Sequence, residues 1–280
     1  MSRRNYPKLL VEDFGRHLIT SGDLDPVYIA APKAITDPLQ LRRWLTAYVC
    51  FYHCGIASHA SEYGGKKFWK VLYTAAENVK PSPLGERWPR GSERRHSRGK
   101  AGMEMIGRLM AKYPEPEMFW DAVADGPMDV RSVIDRAKSH YLFGTWIAFK
   151  IADLLDAVLH IPVIQNDVNL LLYDTPRNSI FENWRRTFGH PDTVKHKDPD
   201  LLVEQATEWL GEKLSDLTIP HKAGEKLDLF CLETVWCKHA SHMHGHYPLN
   251  NDLDEIQHDL IGWGDTAKAF SEAMPKRVAP

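Results

Sequence analysis

From Leu41 onward the apolar residues Leu41, Trp44, Leu45, Tyr48, Val49, Tyr52 and Ile56 recur every three or four positions, the period of a helix with one buried face. Just before them the stretch TDP offers Asp37 as a cap and Pro38 for a first turn, so the pattern predicts one helix through to Ile56. The same reasoning predicts helices over 67–78, from about Lys100, and over 130–137. A longer apolar-rich helix is entered through Gly144 and stops before Pro162, a residue that cannot continue it. Two more are expected, at 199–214, with Leu202, Ala206, Trp209 and Leu210 on one stripe, and at 225–239. Alternation of period two is scarce, so the chain reads as predominantly α. No solenoid repeat or low-complexity tract interrupts it.

With 280 residues and 43% apolar content the chain can bury a large core, as one domain or two closely packed lobes. Thirty-five basic against 37 acidic side chains exclude a generally polycationic surface. Charges at Lys8, Glu12, Asp13 and Arg16 break up any secretory core, and no apolar run approaches the roughly 18 to 20 residues of a membrane helix. A cytoplasmic protein without a membrane partner is therefore expected. The four cysteines fall in two pairs inside predicted helices, where packing is expected rather than bridging.

Against that neutral background one loop stands out. The fourteen residues from Arg87 to Lys100 hold six fixed positive charges, His96 and a single acid, Glu93. Gly91 and Gly99 bracket the arginines, and Trp88 and Pro89 suggest a fixed path. Such a loop is either a solvated charge run or a contact for phosphate, where each cation adds salt-dependent affinity. A second stretch, YLFGTWIAFKIADLLDAVLHIPVIQND, places a turn at Gly144 before a helix and a carboxylate, Asp167, beyond it. The unpaired N–H groups of a helix start suit a nucleic-acid phosphate, which makes Gly144, Thr145 and Trp146 candidates for DNA contact. The bland alternatives are that Gly144 is only a turn and that Asp167 caps a following helix.

The order of Gly144, Ala148, Pro162 and Asp167 resembles the hairpin and catalytic aspartate of the helix-hairpin-helix DNA glycosylases, although YLFGTW stands where those proteins typically have two glycines. Four stretches in sequence, AYVCFYHCGIASH, RWPRGSERRHSRG, FGTWIAFKIADLL and ETVWCKHASHMHGHYP, resemble a narrower family. These are the bacteriophage amino acid:DNA transferases, also called α-glutamyl/putrescinyl-thymine pyrophosphorylases. The resemblance runs from about Leu24 to Pro248. It implies an all-α, glycosylase-like unit with two helical lobes, 80–185 against 1–79 plus 186–280, and a cleft between them.

It also implies a reaction: the amine of an amino acid or polyamine displaces pyrophosphate from pyrophosphorylated 5-hydroxymethyluracil in double-stranded DNA. Guanidinium groups stabilise the charge that develops on a departing diphosphate, which assigns Arg90, Arg94, Arg95 and Arg98 to a cradle with His96 beside them. The incoming amine must lose a proton, and Asp167 is the expected base with Asp174 in reserve; Asp153 reads as a salt-bridged surface acid. Lys238 and His246 fall where the family has a basic segment and are expected against phosphate or the amino-acid carboxylate. Phe51, Tyr52 and Trp146 are candidates for an aromatic wall beside an everted base, with ordinary core as the alternative. The reaction needs no metal or organic cofactor, though magnesium accompanying the pyrophosphate is compatible with it. The cysteines and histidines of CLETVWCKHASHMHGHYP lack zinc-site spacing. If the gene is a phage gene, the location is the host cytoplasm. Two other functions stay open: a glycosylase, and a non-catalytic reader of modified DNA.

Overall fold

Several helices begin where the sequence supplies an acceptor for their first orphan N–H groups. Asp37 accepts from the Leu39 N–H at 3.0 Å, Asp129 from Ser132 at 3.0 Å and Asp228 from Cys231 at 2.9 Å. A computed structural model of the chain describes residues 6–86, 98–165, 199–222 and 224–277. Within them the elements are α1 (Val11–Ser21), α2 (Pro26–Ala34), α3 (Pro38–Phe51), α4 (Cys54–Ser61), α5 (Gly65–Glu77), α6 (Gly99–Lys112), α7 (Met118–Ala124), α8 (Val130–Lys138), α9 (Thr145–Ala157), α10 (Pro199–Lys213), α11 (Leu229–Met243), α12 (Asn251–Asp259) and α13 (Asp265–Ala273). The described residues form no strand, only isolated bridge residues such as the pair Thr218 and Lys226, so the fold is all-α. No helix among them is long and apolar enough to cross a membrane.

The expected helix over 41–56 is two helices. Tyr52 takes a left-handed conformation at φ 52°, His53 is extended, and the His53 ring accepts the Ile56 N–H to start α4. The apolar period runs through the break because both sides of it face core: Phe51 and Ile56 are each fully buried. The turn presses α4 against 259–263 so closely that a Cβ on Gly55 would lie 2.2 Å from the Asp259 carbonyl oxygen, and only glycine fits. The helix expected over 225–239 starts later, at the Asp228 cap, and runs on through His239 and His242.

The chain divides into two compact units. The first comprises 1–26, 164–253 and 275–280, and the second 27–163 and 254–274. The expected lobe boundary near residue 80 is thus displaced to 26/27. Trp69 shows why: from α5 its Nε1 donates to the Tyr113 carbonyl at 2.9 Å, just past α6, so the helices on either side of the arginine loop pack together. Pro- and Gly-rich sequence marks a connection there, not a domain border. The core of the first unit is built from Phe14 and Leu18 of α1, Leu210 of α10, and Val235 and Trp236 of α11. That of the second includes Trp44, Trp69, Trp120, Phe68, Phe119 and Phe270, all essentially without solvent exposure.

Candidate active site

In the second unit, α8 and α9 are joined by the turn at 139–144, and the turn is anchored from beneath. His140 is buried, donates from Nδ1 to the Ala137 carbonyl at 3.0 Å, and accepts the Tyr113 hydroxyl on Nε2 at 2.7 Å. Burial, with Lys112 nearby, lowers its pKa and favours the neutral ring that this bonding requires. Phe143 packs edge-on to Phe119 with centroids 5.8 Å apart. Tyr141, Leu142 and Gly144 are left exposed on the outside of the turn.

Gly144 is the cap residue of α9 and has no side chain of its own to cap that helix start. Its φ of −77° is open to any residue, and no atom of the described residues lies within 4 Å of the place a Cβ would occupy. Neither backbone strain nor packing therefore demands glycine here. What its absence of a side chain provides is unobstructed approach to the first N–H groups of a helix, with Thr145 and Trp146, both half-buried, in the same turn. The three residues assigned to DNA contact are brought together at this point. Phe51, by contrast, is fully buried and cannot form a wall for a ligand, while Tyr52 and Trp146 remain half-buried.

One turn further along α9 is a cluster that corrects the reading of Asp153. It is salt-bridged, but buried: its Oδ2 receives the Tyr28 hydroxyl at 2.5 Å and the Lys150 ammonium at 3.1 Å, and Lys150 also reaches the Tyr28 oxygen at 3.3 Å. An i,i+3 pair on an apolar helix looks like a surface pair only until the other face of that helix is also covered.

Lys238 sits in the first unit with its side chain 12% exposed. Its three donors go to the Asp23 carbonyl at 2.9 Å, the Leu24 carbonyl, and Asp252 Oδ2 at 2.7 Å. Burial opposes the ammonium, but Asp252, Asp25 and Asp23 outweigh it and raise its pKa. Asp23 accepts the N–H groups of Asp252 and Leu253 on Oδ1, both at 3.0 Å, while its Oδ2 is buried without a hydrogen-bond partner. Burial and the neighbouring Asp252 push the Asp23 carboxyl up to about 7, against the pull of Lys238 and the two N–H groups. Lys238 is thus a structural clasp between the α1–α2 turn and the start of α12, with every donor taken. His246 is exposed and beyond the helix.

The other histidines of this segment are engaged by the backbone. His242 accepts the Leu9 N–H on Nε2 at 3.1 Å and donates from Nδ1 to the Tyr247 carbonyl at 2.8 Å, and His239 Nε2 donates to the Leu9 carbonyl at 3.1 Å. Among the described residues no group of three or more His, Cys, Asp or Glu side chains is placed to hold a metal.

Arg90, Arg94, Arg95, His96, Asp167 and Asp174 lie outside the described residues. Arg98 is described, as the half-buried cap residue of α6. The chain leading to Asp167 is described as far as Gln165, which sequence reasoning missed. Its Oε1 accepts the Leu229 N–H at 3.0 Å and its Nε2 donates to Asp228 at 3.1 Å, tying that strand of chain to the start of α11. A lone glutamine in IPVIQND carries no periodic or motif signal that would have found it.

The model of the amino acid:DNA transferase family matches residues 19–246. The chain is 37% identical to a glycinyltransferase of Pseudomonas phage PaMx11 over 98% of both sequences. It is 25% identical to a putrescinyltransferase of Delftia phage PhiW-14, over 92% of this chain and 80% of that one. A family match across most of the chain and a relative similar from end to end lead to one conclusion: the chain belongs to the amino acid:DNA transferase family, whose members join an amino acid or amine to DNA.

Proposed function

We propose that the chain transfers glycine, or another small amino acid, onto pyrophosphorylated 5-hydroxymethyluracil in double-stranded DNA. The observation that carries the choice of amine is the end-to-end similarity to a glycinyltransferase, higher than that to a putrescinyltransferase. The ammonium of the amino acid gives a proton to a carboxylate, Asp167 with Asp174 in reserve, and its nitrogen lone pair attacks the exocyclic methylene. The C–N bond forms as the C–O bond breaks, and pyrophosphate leaves into the cradle of Arg90, Arg94, Arg95, His96 and Arg98. The α8–turn–α9 unit is read as a helix-hairpin-helix element, with the exposed start of α9 at Gly144 receiving a DNA phosphate. His246, exposed, stays a candidate for phosphate or the amino-acid carboxylate, whereas Lys238 serves the fold. The reaction needs no cofactor, and magnesium on the leaving group is compatible with it. Modification of phage DNA in the host cytoplasm fits this reading.

Mass spectrometry of nucleosides after incubation with pyrophosphorylated 5-hydroxymethyluracil DNA and a mixture of glycine, other amino acids and putrescine tests it. A glycine adduct on the thymine-derived nucleoside is expected, with pyrophosphate released in equal amount. Abasic sites would assign a glycosylase instead, and an unmodified DNA pool would leave a binding protein.

A further inference from the structure

The chain that leaves α9 is pinned at alternate residues on its way towards Asp167. His160 turns it out of the helix in a left-handed conformation at φ 53°. The N–H groups of Leu159 and Ile161 bond back to the Leu154 and Leu155 carbonyls at 3.1 and 2.9 Å, and that of Val163 to Asp156 Oδ1 at 3.2 Å. At Gln165 the side chain takes over. Its Oε1 accepts the N–H groups of Leu229 at 3.0 Å and Phe230 at 3.4 Å, while its Nε2 donates to Asp228 Oδ2 at 3.1 Å. Asp228 accepts from Cys231 at 2.9 Å with its other oxygen. The N–H groups of Leu229, Phe230 and Cys231 at the start of α11 are therefore all taken, the first two by a side chain 64 and 65 positions away.

A side-chain amide of this length is what the place requires. Glutamate could accept the two N–H groups but would set its charge against Asp228, lysine could not accept at all, and asparagine is one methylene shorter. Only one orientation of the amide serves both Asp228 and Leu229, so the group is fixed in rotation as well as in place. As a helix cap Gln165 would be redundant, because Asp228 already caps α11. What it adds is a fixed point on the chain two residues before Asp167, which lies outside the described residues but whose Cα is by chain length alone within about 7 Å of its own. We propose that Gln165, clamped on the start of α11, is the positioning residue for the base Asp167. This rests on the reading of Asp167 as the group that takes the proton of the amine. A base acts only within hydrogen-bond reach of that proton, so releasing its anchor costs rate and spares affinity.

The test is single-turnover transfer of glycine to pyrophosphorylated 5-hydroxymethyluracil DNA, followed by mass spectrometry with both substrate concentrations varied. Gln165→Met keeps the shape of the side chain and loses its hydrogen bonds. It should lower the rate at saturation by roughly thirtyfold, the scale of a misplaced catalytic group, and leave the half-saturating glycine and DNA concentrations within about twofold. Asp228→Ser keeps a capping oxygen for Cys231 but falls short of Gln165, and should lower the rate by about threefold. It carries the test if Gln165→Met fails to fold. Asp167→Asn should lose about a hundredfold or more, and adding Gln165→Met to it should change the rate by less than about twofold, since nothing is left to position. A wild-type rate in Gln165→Met, an equal fall in the Asp167→Asn background, or a change confined to the half-saturating concentrations would overturn the proposal and leave Asp167 as the base. Asp167→Asn as fast as the wild type would overturn the choice of base and the proposal together. A wild type that forms no adduct would remove the transfer reading and, with it, the proposal.

Discussion

Lys238 and Gly144 look alike as sequence candidates for phosphate, yet the structure treats them in opposite ways. Around Lys238 every donor is matched inside the first unit: two backbone carbonyls and one carboxylate use up the ammonium. At Gly144 the second unit starts a helix on an exposed residue that has no capping side chain of its own, with no atom of the described residues in the space a side chain would take. A charge is therefore a poor guide to a ligand. Backbone N–H groups at an accessible helix start are a better one, and a residue with no charge can present them.

The largest expected effect comes from breaking the closed region. Lys238→Met strands Asp252 and two carbonyls in a largely buried site, and removing one partner of such a cluster should cost about 3 to 5 kcal/mol of stability. Urea denaturation at constant m measures it. Adding Asp252→Leu should recover a large part of the loss, because an apolar pair of similar volume carries no desolvation penalty. If Lys238→Met instead kept its stability and lost only DNA affinity or transfer, the lysine would belong with the ligand and the contrast would fail.

The same contrast explains how much was legible beforehand. Asp37 was legible as a helix start because a short acceptor before an apolar stripe is a local signal, and the turn at Gly144 is equally local, whereas Asp228 lay hidden inside the helix expected from 225. The break at Tyr52 was hidden since the apolar period continues across it. The destination of Lys238 depends on Asp23 and Asp252, 215 and 14 residues away along the chain, and on main-chain carbonyls that no composition records. The same holds for Asp153, whose partner Tyr28 is 125 residues distant. Long-range closure of polar groups is what sequence patterns do not carry.

A smaller effect, tied to pH, sharpens the closed side. Asp23 has its carboxyl raised from 3.8 to about 7, so between those values the folded chain holds a proton that the unfolded chain has lost. Its contribution must then fall as pH rises through that window and level off above about 7. Between pH 5 and pH 8 this amounts to on the order of 2 kcal/mol. The half-buried His17 and the buried His140 and His242, whose pKa values desolvation lowers, act the other way: they remain neutral in the fold and favour it less as pH drops below about 6.5. The difference between wild type and Asp23→Asn therefore isolates the carboxyl. Stability curves against pH should diverge upward for the variant as pH rises from 5 to 8; parallel curves would mean that Asp23 is ionised throughout.

The smallest change in stability, and the one that tests the open side, is Gly144→Ala. A methyl here meets no atom of the described residues within 4 Å and the backbone angle suits alanine, so the melting behaviour should shift by less than about 1 kcal/mol. DNA affinity should nevertheless fall about fivefold, the worth of one hindered hydrogen bond to a phosphate. The slope of log affinity against log salt should stay constant, because a backbone N–H brings no cation to displace a counter-ion. Arg98→Ala makes the control: if its guanidinium neutralises a phosphate, the slope itself should shrink by about 0.9. Undiminished binding by Gly144→Ala would reduce that residue to a turn, and the open region would then be open to nothing in particular.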